Sequence, residues 1–128
     1  MSIRLLIADN DAIFRKTVRE VLGFHPEIMV VGEATDGEQV ISKAAGLHPD
    51  VVLMDISMPK MDGLEATSYI KKYYPSIGVL VVTVHESEEY QKMAKKAGAD
   101  DFLIKKDLSP KPLLEMIESV FQSGPSNA

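Results

Sequence analysis

The sequence predicts a doubly wound α/β fold, in which a five-stranded parallel sheet is covered by helices on both faces. Five short apolar runs are rich in β-branched residues and bounded by turn residues, a pattern typical of buried strands. Between these runs, apolar residues recur at helical spacing. Strands that alternate with helices of this length are joined by right-handed crossovers, so the sheet is expected to be parallel.

Each element has its own signal. The strands are predicted from the apolar runs, in chain order Ile3 to Ala8, Ile28 to Ala34, Val51 to Met54, Val79 to Thr83 and Phe102 to Ile104. The first and last helices have the clearest apolar faces, made by Phe14, Val18, Val21 and Leu22 and by Leu113, Leu114, Ile117, Val120 and Phe121. Asp36 followed by Gln39 predicts a capping box, and Ser109 before Pro110 predicts the start of the last helix.

The composition is that of one globular domain and argues against several function classes. Hydrophobic residues make up 45% of the 128 residues and charged residues 26%, close to average soluble usage. The net charge of -5 without a basic stripe argues against nucleic-acid binding by these residues. The lack of cysteine excludes disulfides and thiolate chemistry, and the first apolar run is too short for a signal peptide or a membrane span. We therefore expect a cytoplasmic protein without membrane contact.

The domain is expected to occupy residues 1–122. Residues 123–128 are small and polar, which favours a flexible tail or the start of a linker.

Polar residues follow four of the apolar runs, at the edge where open α/β sheets bind ligands. They are Asp9, Asn10 and Asp11 after the first strand, Asp55 after the third, Thr83 and His85 at the end of the fourth, and Lys105 after the fifth. The carboxyl ends of parallel strands meet at one edge, so these side chains are expected to converge. Any one of them alone is equally well explained as a helix cap or turn residue, Asp11 most clearly. The combination indicates a site.

These residue types fit phosphoryl transfer beside Mg²⁺. Carboxylate and amide oxygens are the ligands that Mg²⁺ prefers, and a lysine suits a phosphoryl oxygen. Asp55 is the candidate nucleophile, because a bound metal would screen its repulsion from the incoming phosphoryl group. Thr83 is placed to donate to a phosphoryl oxygen. The loop from Met58 to Gly63 contains proline and glycine, and the backbone carbonyl of Ser57 before it is expected to face the metal.

Four parts of the sequence resemble the signatures of response-regulator receiver domains, and their order and spacing cover nearly the whole chain. They are Leu5 to Asn10, Val52 to Gly63, Thr83, and Gly98 to Lys105. The resemblance implies a flavodoxin-like (βα)5 sandwich with strand order 2-1-3-4-5. It implies that Asp55 accepts phosphate from a sensor histidine kinase, that Asp9, Asn10, Asp55 and the Ser57 carbonyl surround Mg²⁺, and that Lys105 contacts the phosphoryl group.

The resemblance also implies a switch. Thr83 moves toward the phosphoryl group, Phe102 follows inward, and the face made by the fourth helix, fifth strand and fifth helix changes shape. Such a change is a shift in the populations of two states.

Five positions depart from the family pattern or match positions that tune it. Asn10 stands where the family usually has Asp, which removes one charge from the metal site and predicts weaker Mg²⁺ binding. Val84 replaces a smaller residue and is expected to narrow the approach to Asp55. Phe102 lacks the hydroxyl of the commoner tyrosine. By the resemblance, His85, Ser57 and Val84 match family positions that tune the lifetime of the phosphoryl group.

Short segments resemble receivers of the NarL/FixJ-like subfamily, which carry a C-terminal helix-turn-helix domain. They are His25 to Glu27, Val31 to Ala34 and Asp62 to Thr67. We therefore expect a part of a transcription regulator that forms a homodimer on phosphorylation, with a standalone receiver as the alternative.

Two other classes are weighed against this interpretation. A small hydrolase on the same fold would need a second carboxylate where Ser57 stands, so the chain is expected to catalyse at most its own phosphorylation and dephosphorylation. A pseudo-receiver that acts only by protein interaction is disfavoured by Asp55, Thr83 and Lys105 together, although Asn10 leaves it open.

Overall fold

The computed structural model describes residues 2–123 and forms one five-stranded parallel sheet in the order β2-β1-β3-β4-β5. The elements in chain order are β1 Ile3–Ala8, α1 Ala12–Leu22, β2 Ile28–Ala34, α2 Gly37–Leu47, β3 Val51–Asp55, α3 Gly63–Tyr73, β4 Gly78–Thr83, α4 Glu88–Ala97, β5 Asp101–Ile104, a 3-10 turn Lys105–Asp107 and α5 Pro110–Gln122. The predicted fold class and strand order are confirmed.

All five predicted strands are present, and three of them are one residue longer than predicted. β3 includes Asp55 at its end, while β4 and β5 begin at Gly78 and Asp101. Each added residue is polar or glycine and so lies outside an apolar run. The backbone of Asp55 is therefore held in the sheet, where it pairs with Val82.

The core lies in two layers, one on each face of the sheet. Leu5 and Ile7 of β1 face α1 and α5, whereas Leu6 and Ala8 face α2, α3 and α4. Alternate residues of one strand therefore contribute to opposite layers. Burial on both faces explains why the strands appear in the sequence as continuous apolar runs and not as alternating patterns.

Side-chain caps fix where most helices begin. Asp36 Oδ1 accepts a hydrogen bond from Gln39 N at 2.8 Å, which confirms the predicted cap of α2. The reciprocal bond differs by one residue from the usual capping box, since Gln39 Oε1 accepts from Thr35 N at 2.9 Å. α5 begins at Pro110 after Ser109, as predicted.

The C-terminal helix α5 ends at Gln122. The tail predicted for residues 123–128 lies, apart from Ser123, outside the described residues. Across residues 2–123, no helix combines the length and the apolar character needed to cross a membrane.

Candidate functional site

The carboxyl end of the sheet brings three charged side chains together. Lys105 Nζ lies 2.6 Å from Asp9 Oδ2 and 3.9 Å from Asp55 Oδ1. Both carboxyl groups are buried, since Asp9 is 1% exposed and Asp55 6% exposed. Asp9 after β1, Asp55 at the end of β3 and Lys105 after β5 therefore lie together, because the carboxyl ends of the parallel strands meet at one edge of the sheet.

The residues that begin α1 hold Asp9 in place. Its Oδ1 accepts from the backbone N–H of Asp11 at 2.8 Å, and its backbone carbonyl accepts from Arg15 Nη1 at 2.7 Å. Asp11 in turn caps α1 by accepting from Ile13 N at 3.0 Å, which is the structural role expected for it. Asp9 is therefore tied to α1 through its carboxylate and its backbone.

Among the residues that the structure describes, the second oxygen of Asp9 is bound by an ion pair and not by a hydrogen bond. Oδ2 is buried and, within residues 2–123, has no hydrogen-bond partner, although it forms an ion pair with Lys105. The close contact is not aligned as a hydrogen bond. The Lys105 ammonium is therefore the cation that offsets the cost of burying this carboxylate oxygen.

Burial and the neighbouring Asp9 carboxylate raise the pKa of Asp55 from an ordinary value of 3.8 to about 6. Lys105 and the backbone of Ser57 act in the opposite direction and lower this pKa. Their effect does not cancel the cost of placing two carboxylates in one buried site. A cation bound between Asp9 and Asp55 would remove that cost.

The donor set fits Mg²⁺. Within residues 2–123 no three His, Cys, Asp or Glu side chains form a metal cluster, so Asp9 and Asp55 would need neutral oxygens and water to complete the coordination. Mg²⁺ commonly binds through one or two carboxylates and keeps several waters. Asn10 and Ser57, the neutral oxygen sources named by the sequence, are both exposed beside these carboxylates in the chain.

Thr83 ends β4 beside the site and is buried, with 1% of its surface exposed. Its Oγ1 accepts from the backbone N–H of His85 at 3.1 Å, which leaves the hydroxyl hydrogen free to donate. The His85 ring stacks on Tyr90 of α4, with centroids 4.2 Å apart and planes 6° apart. Val84, which lies between Thr83 and His85 in the sequence, is 62% exposed. The loop after β4 is therefore linked to both Thr83 and α4.

The loop after Asp55 is held close to the backbone of β3. Gly63 N donates to Ile56 O at 2.8 Å, and a Cβ added at Gly63 would lie 1.9 Å from Asp55 O. Met58 packs into the core on the α2, α3 and α4 side. Gly63 has an ordinary negative φ, so the close approach to Asp55 is what requires glycine here.

The other predicted switch residue, Phe102, is half-buried on the face of the sheet covered by α2, α3 and α4. In the register of β4 and β5, Phe102 pairs with Val81, and Val81 lies two residues before Thr83 in β4. Phe102 thus lies in the same layer of the core as Tyr90, the residue on which His85 stacks.

The structure adds residues that the sequence pattern does not single out. Phe14 is predicted only as part of the apolar face of α1, yet Lys105 Nζ lies 4.2 Å from the centroid of its ring. Tyr90, which stacks on His85, and Arg15, which binds the carbonyl of Asp9, are likewise not predicted as site residues. Phe14 and Lys105 are far apart in the sequence, and the other two contacts depend on side-chain rotamers, so residue spacing carries no signal for them.

Comparisons with known proteins agree with this architecture. Residues 5–118 match the model of the response regulator receiver domain. The transcriptional regulatory protein DegU of Brevibacillus brevis is 38% identical over 122 residues, which cover 95% of this chain and 51% of DegU. Protein-glutamate methylesterases of Pseudomonas species are also similar, at 38% identity for one from Pseudomonas syringae, with 96% of this chain and 34% of that protein covered. The chain spans about half or less of the length of these relatives.

Solved structures agree as well. The signal receiver domain of NarL from Mycobacterium tuberculosis superposes with a TM-score of 0.90 at 28% identity, covering 95% of this chain and 98% of that one. A CheX-CheY complex with BeF3 and Mg from Borrelia burgdorferi gives a TM-score of 0.85 at 27% identity, covering 93% of this chain and 89% of that one. The family match over most of the chain confirms the resemblance found in the sequence, and this chain belongs to the family of response regulator receiver domains.

Proposed function

We propose that Asp55 is the phosphoacceptor of this receiver domain and that it is phosphorylated with Mg²⁺ bound beside it. The observation that carries the proposal is the buried pair of Asp9 and Asp55 with Lys105 reaching both. A carboxylate oxygen of Asp55 attacks phosphorus, and the bond from phosphorus to the donor nitrogen or oxygen breaks. Lys105 then moves from Asp9 toward a phosphoryl oxygen, and the free hydroxyl hydrogen of Thr83 donates to another.

Mg²⁺ would be held by Asp9, Asp55, the Asn10 side chain and the Ser57 carbonyl, with water as the remaining ligands. The buried Asp9 oxygen without a hydrogen-bond partner supports this assignment. The bound ion supplies positive charge that offsets the repulsion between these carboxylates and the incoming phosphoryl group.

Incubation with acetyl phosphate and Mg²⁺, followed by intact mass measurement, tests the proposal. The wild type should gain one phosphoryl group in an acid-stable, base-labile bond, and Asp55→Asn should gain none. Asp107→Asn is the matched control, since Asp107 is an exposed carboxylate in the turn after β5, and it should behave as the wild type. Phosphorylation of Asp55→Asn would show that another residue is the acceptor. Phosphorylation of neither protein would contradict the proposal and leave the interaction-only pseudo-receiver in its place.

Asn10→Asp is expected to bind Mg²⁺ about tenfold more tightly than the wild type, because it adds a third negative charge to the metal site. Isothermal titration calorimetry with MgCl₂ measures this directly. Asn10→Ala, which removes the amide oxygen, should bind more weakly than the wild type. Equal affinities for the wild type and Asn10→Asp would show that residue 10 does not reach the metal.

Val84→Ala is expected to react with acetyl phosphate roughly threefold faster, the equivalent of about 0.6 kcal/mol in the barrier. The reason is steric, since the exposed Val84 side chain follows Thr83 at the mouth of the site. Met29→Ala removes an exposed apolar side chain from β2 at the opposite end of the sheet and is the control. An unchanged rate for Val84→Ala would show that Val84 does not restrict access.

The phosphoryl signal is proposed to pass through Thr83 and Phe102. Movement of Thr83 toward the phosphoryl group breaks its hydrogen bond with His85 N and frees the loop that His85 anchors on Tyr90. Phe102 and Tyr90 pack against the same layer of the core, so a change in one alters the space open to the other. His85 is thereby placed to tune the lifetime of the phosphoryl group, together with Ser57 and Val84.

We propose that a sensor histidine kinase donates the phosphoryl group in a cytoplasmic two-component pathway and that phosphorylation favours a homodimer. Similarity to DegU, a transcriptional regulatory protein, supports control of transcription through a domain outside these residues. The chain also matches 34% of the length of a protein-glutamate methylesterase, so a catalytic partner domain is the competing output. The receiver itself is proposed to act on no external substrate.

A further inference from the structure

The side chain of Lys105 rests on an aromatic ring. Its ammonium nitrogen lies 4.2 Å from the centroid of Phe14, which is half-buried in α1 and packs against the core layer under α1 and α5. The lysine side chain is 16% exposed. A cation over the face of a ring is attracted by the ring quadrupole, and the attraction grows as water is excluded.

The other two contacts of Lys105 change during the proposed reaction, and the ring contact does not. Asp55 becomes an acyl phosphate, and Asp9 would hold the metal. A lysine has a flexible stem and a strongly hydrated head, so without a fixed support its ammonium would spread over many positions as these partners change. The Phe14 ring offers a contact that lasts through the exchange.

The ring is also fixed relative to the carboxylates. Asp11 caps the helix that carries Phe14, and its N–H binds Asp9. Arg15, the next residue in that helix, binds the Asp9 carbonyl. Phe14 and Asp9 therefore belong to one rigid unit, so the distance from the ring to the acceptor site is set by α1.

We propose that Phe14 is a positioning residue that holds the ammonium of Lys105 between Asp9 and the phosphoryl position. The proposal rests on the proposed function of Asp55. It assigns to α1 a role inside the reaction centre, through a ring that makes no contact with the phosphoryl group itself.

A double-mutant cycle tests this role with acetyl phosphate as donor, which removes any effect of kinase docking. Phe14→Leu keeps an apolar side chain but removes the ring, and phosphorylation should slow roughly three- to tenfold. Phe14→Tyr keeps the ring and should stay within about twofold of the wild type. In a Lys105→Gln background, Phe14→Leu should cause no further slowing, because the cation is gone.

A nuclear magnetic resonance signal reports the contact without any reaction. The ε-methylene protons of Lys105 should resonate upfield of ordinary lysines in the wild type and Phe14→Tyr, and return to the ordinary position in Phe14→Leu. Ordinary shifts in the wild type would overturn the proposal even if Phe14→Leu fails to fold.

The remaining outcomes separate this proposal from the function of Asp55. Equal rates for the wild type and Phe14→Leu, or equal slowing by Phe14→Leu in both backgrounds, would overturn the role of Phe14 alone. A wild type that gains no phosphoryl group would overturn the proposed function, and the Lys105 resonance would still decide whether the ring holds the lysine.

Discussion

Gly63→Ala is expected to destabilise the domain by about 3 kcal/mol and to displace the backbone of Asp55. An added Cβ would lie 1.9 Å from the Asp55 carbonyl oxygen and 2.7 Å from its carbonyl carbon. These are backbone atoms held in the sheet, so no flexible side chain can move aside. The loop after β3 must therefore shift, and the phosphoacceptor shifts with it.

Urea unfolding followed by circular dichroism measures the loss in the free energy of unfolding. The rate of reaction with acetyl phosphate measures the effect on Asp55, and this rate should fall together with the stability. Gly46→Ala is the matched control, because an added Cβ there has no atom within 4 Å and the residue lies inside α2. This control should gain about 0.5–1 kcal/mol from better helix propensity. If Gly63→Ala were as stable as the wild type or more stable, the close approach of Gly63 to Asp55 would be contradicted.

Asp55→Asn is expected to stabilise the domain by about 1–3 kcal/mol near pH 7.5 in the absence of Mg²⁺. Burial and the Asp9 carboxylate raise the pKa of Asp55 in the folded state to about 6, whereas the unfolded chain keeps an ordinary value of 3.8. The folded state thus holds the proton more tightly. The cost of ionising Asp55 is absent below about pH 4, grows as the pH rises toward 6 and is complete above that pH.

Thermal unfolding of the two proteins between pH 4 and pH 8, with chelator present, tests this linkage. The variant should melt at a higher temperature above pH 6, and the difference should vanish near pH 4. Added Mg²⁺ should narrow the difference at pH 7.5, because it binds the folded wild type and offsets the repulsion between Asp9 and Asp55. A difference that stays constant from pH 4 to pH 8 would show that ionisation of Asp55 is not its cause.

The sequence predicts most of the fold because the strands are buried on both faces, and this leaves uninterrupted apolar runs. The caps at Asp11 and Asp36 are predictable for a related reason, since they depend on bonds between residues two or three apart. Strand ends are less certain, as Gly78 and Asp101 show, because pairing with a neighbouring strand extends β4 and β5 past the apolar residues.

The candidate site is predictable to the extent that topology decides it. Parallel strand ends bring Asp9, Asp55 and Lys105 to one edge whatever their rotamers. Lys105 contacts the Phe14 ring, and His85 stacks on Tyr90. Both contacts depend on how α1 and α4 pack against the sheet, which residue spacing does not encode. Gly63 shows an intermediate case, since the glycine is visible in the sequence but the backbone it approaches is visible only in the structure.

The central claim, that Asp55 carries the phosphoryl group, is tested most directly by locating that group. Borohydride reduces an acyl phosphate to the alcohol and releases phosphate, so a phosphorylated aspartate is converted to homoserine and can be identified by peptide mass spectrometry. After treatment with acetyl phosphate and Mg²⁺, we expect homoserine at position 55 and aspartate at positions 9, 11 and 107. Homoserine at any other position, with aspartate intact at position 55, would contradict the assignment of Asp55.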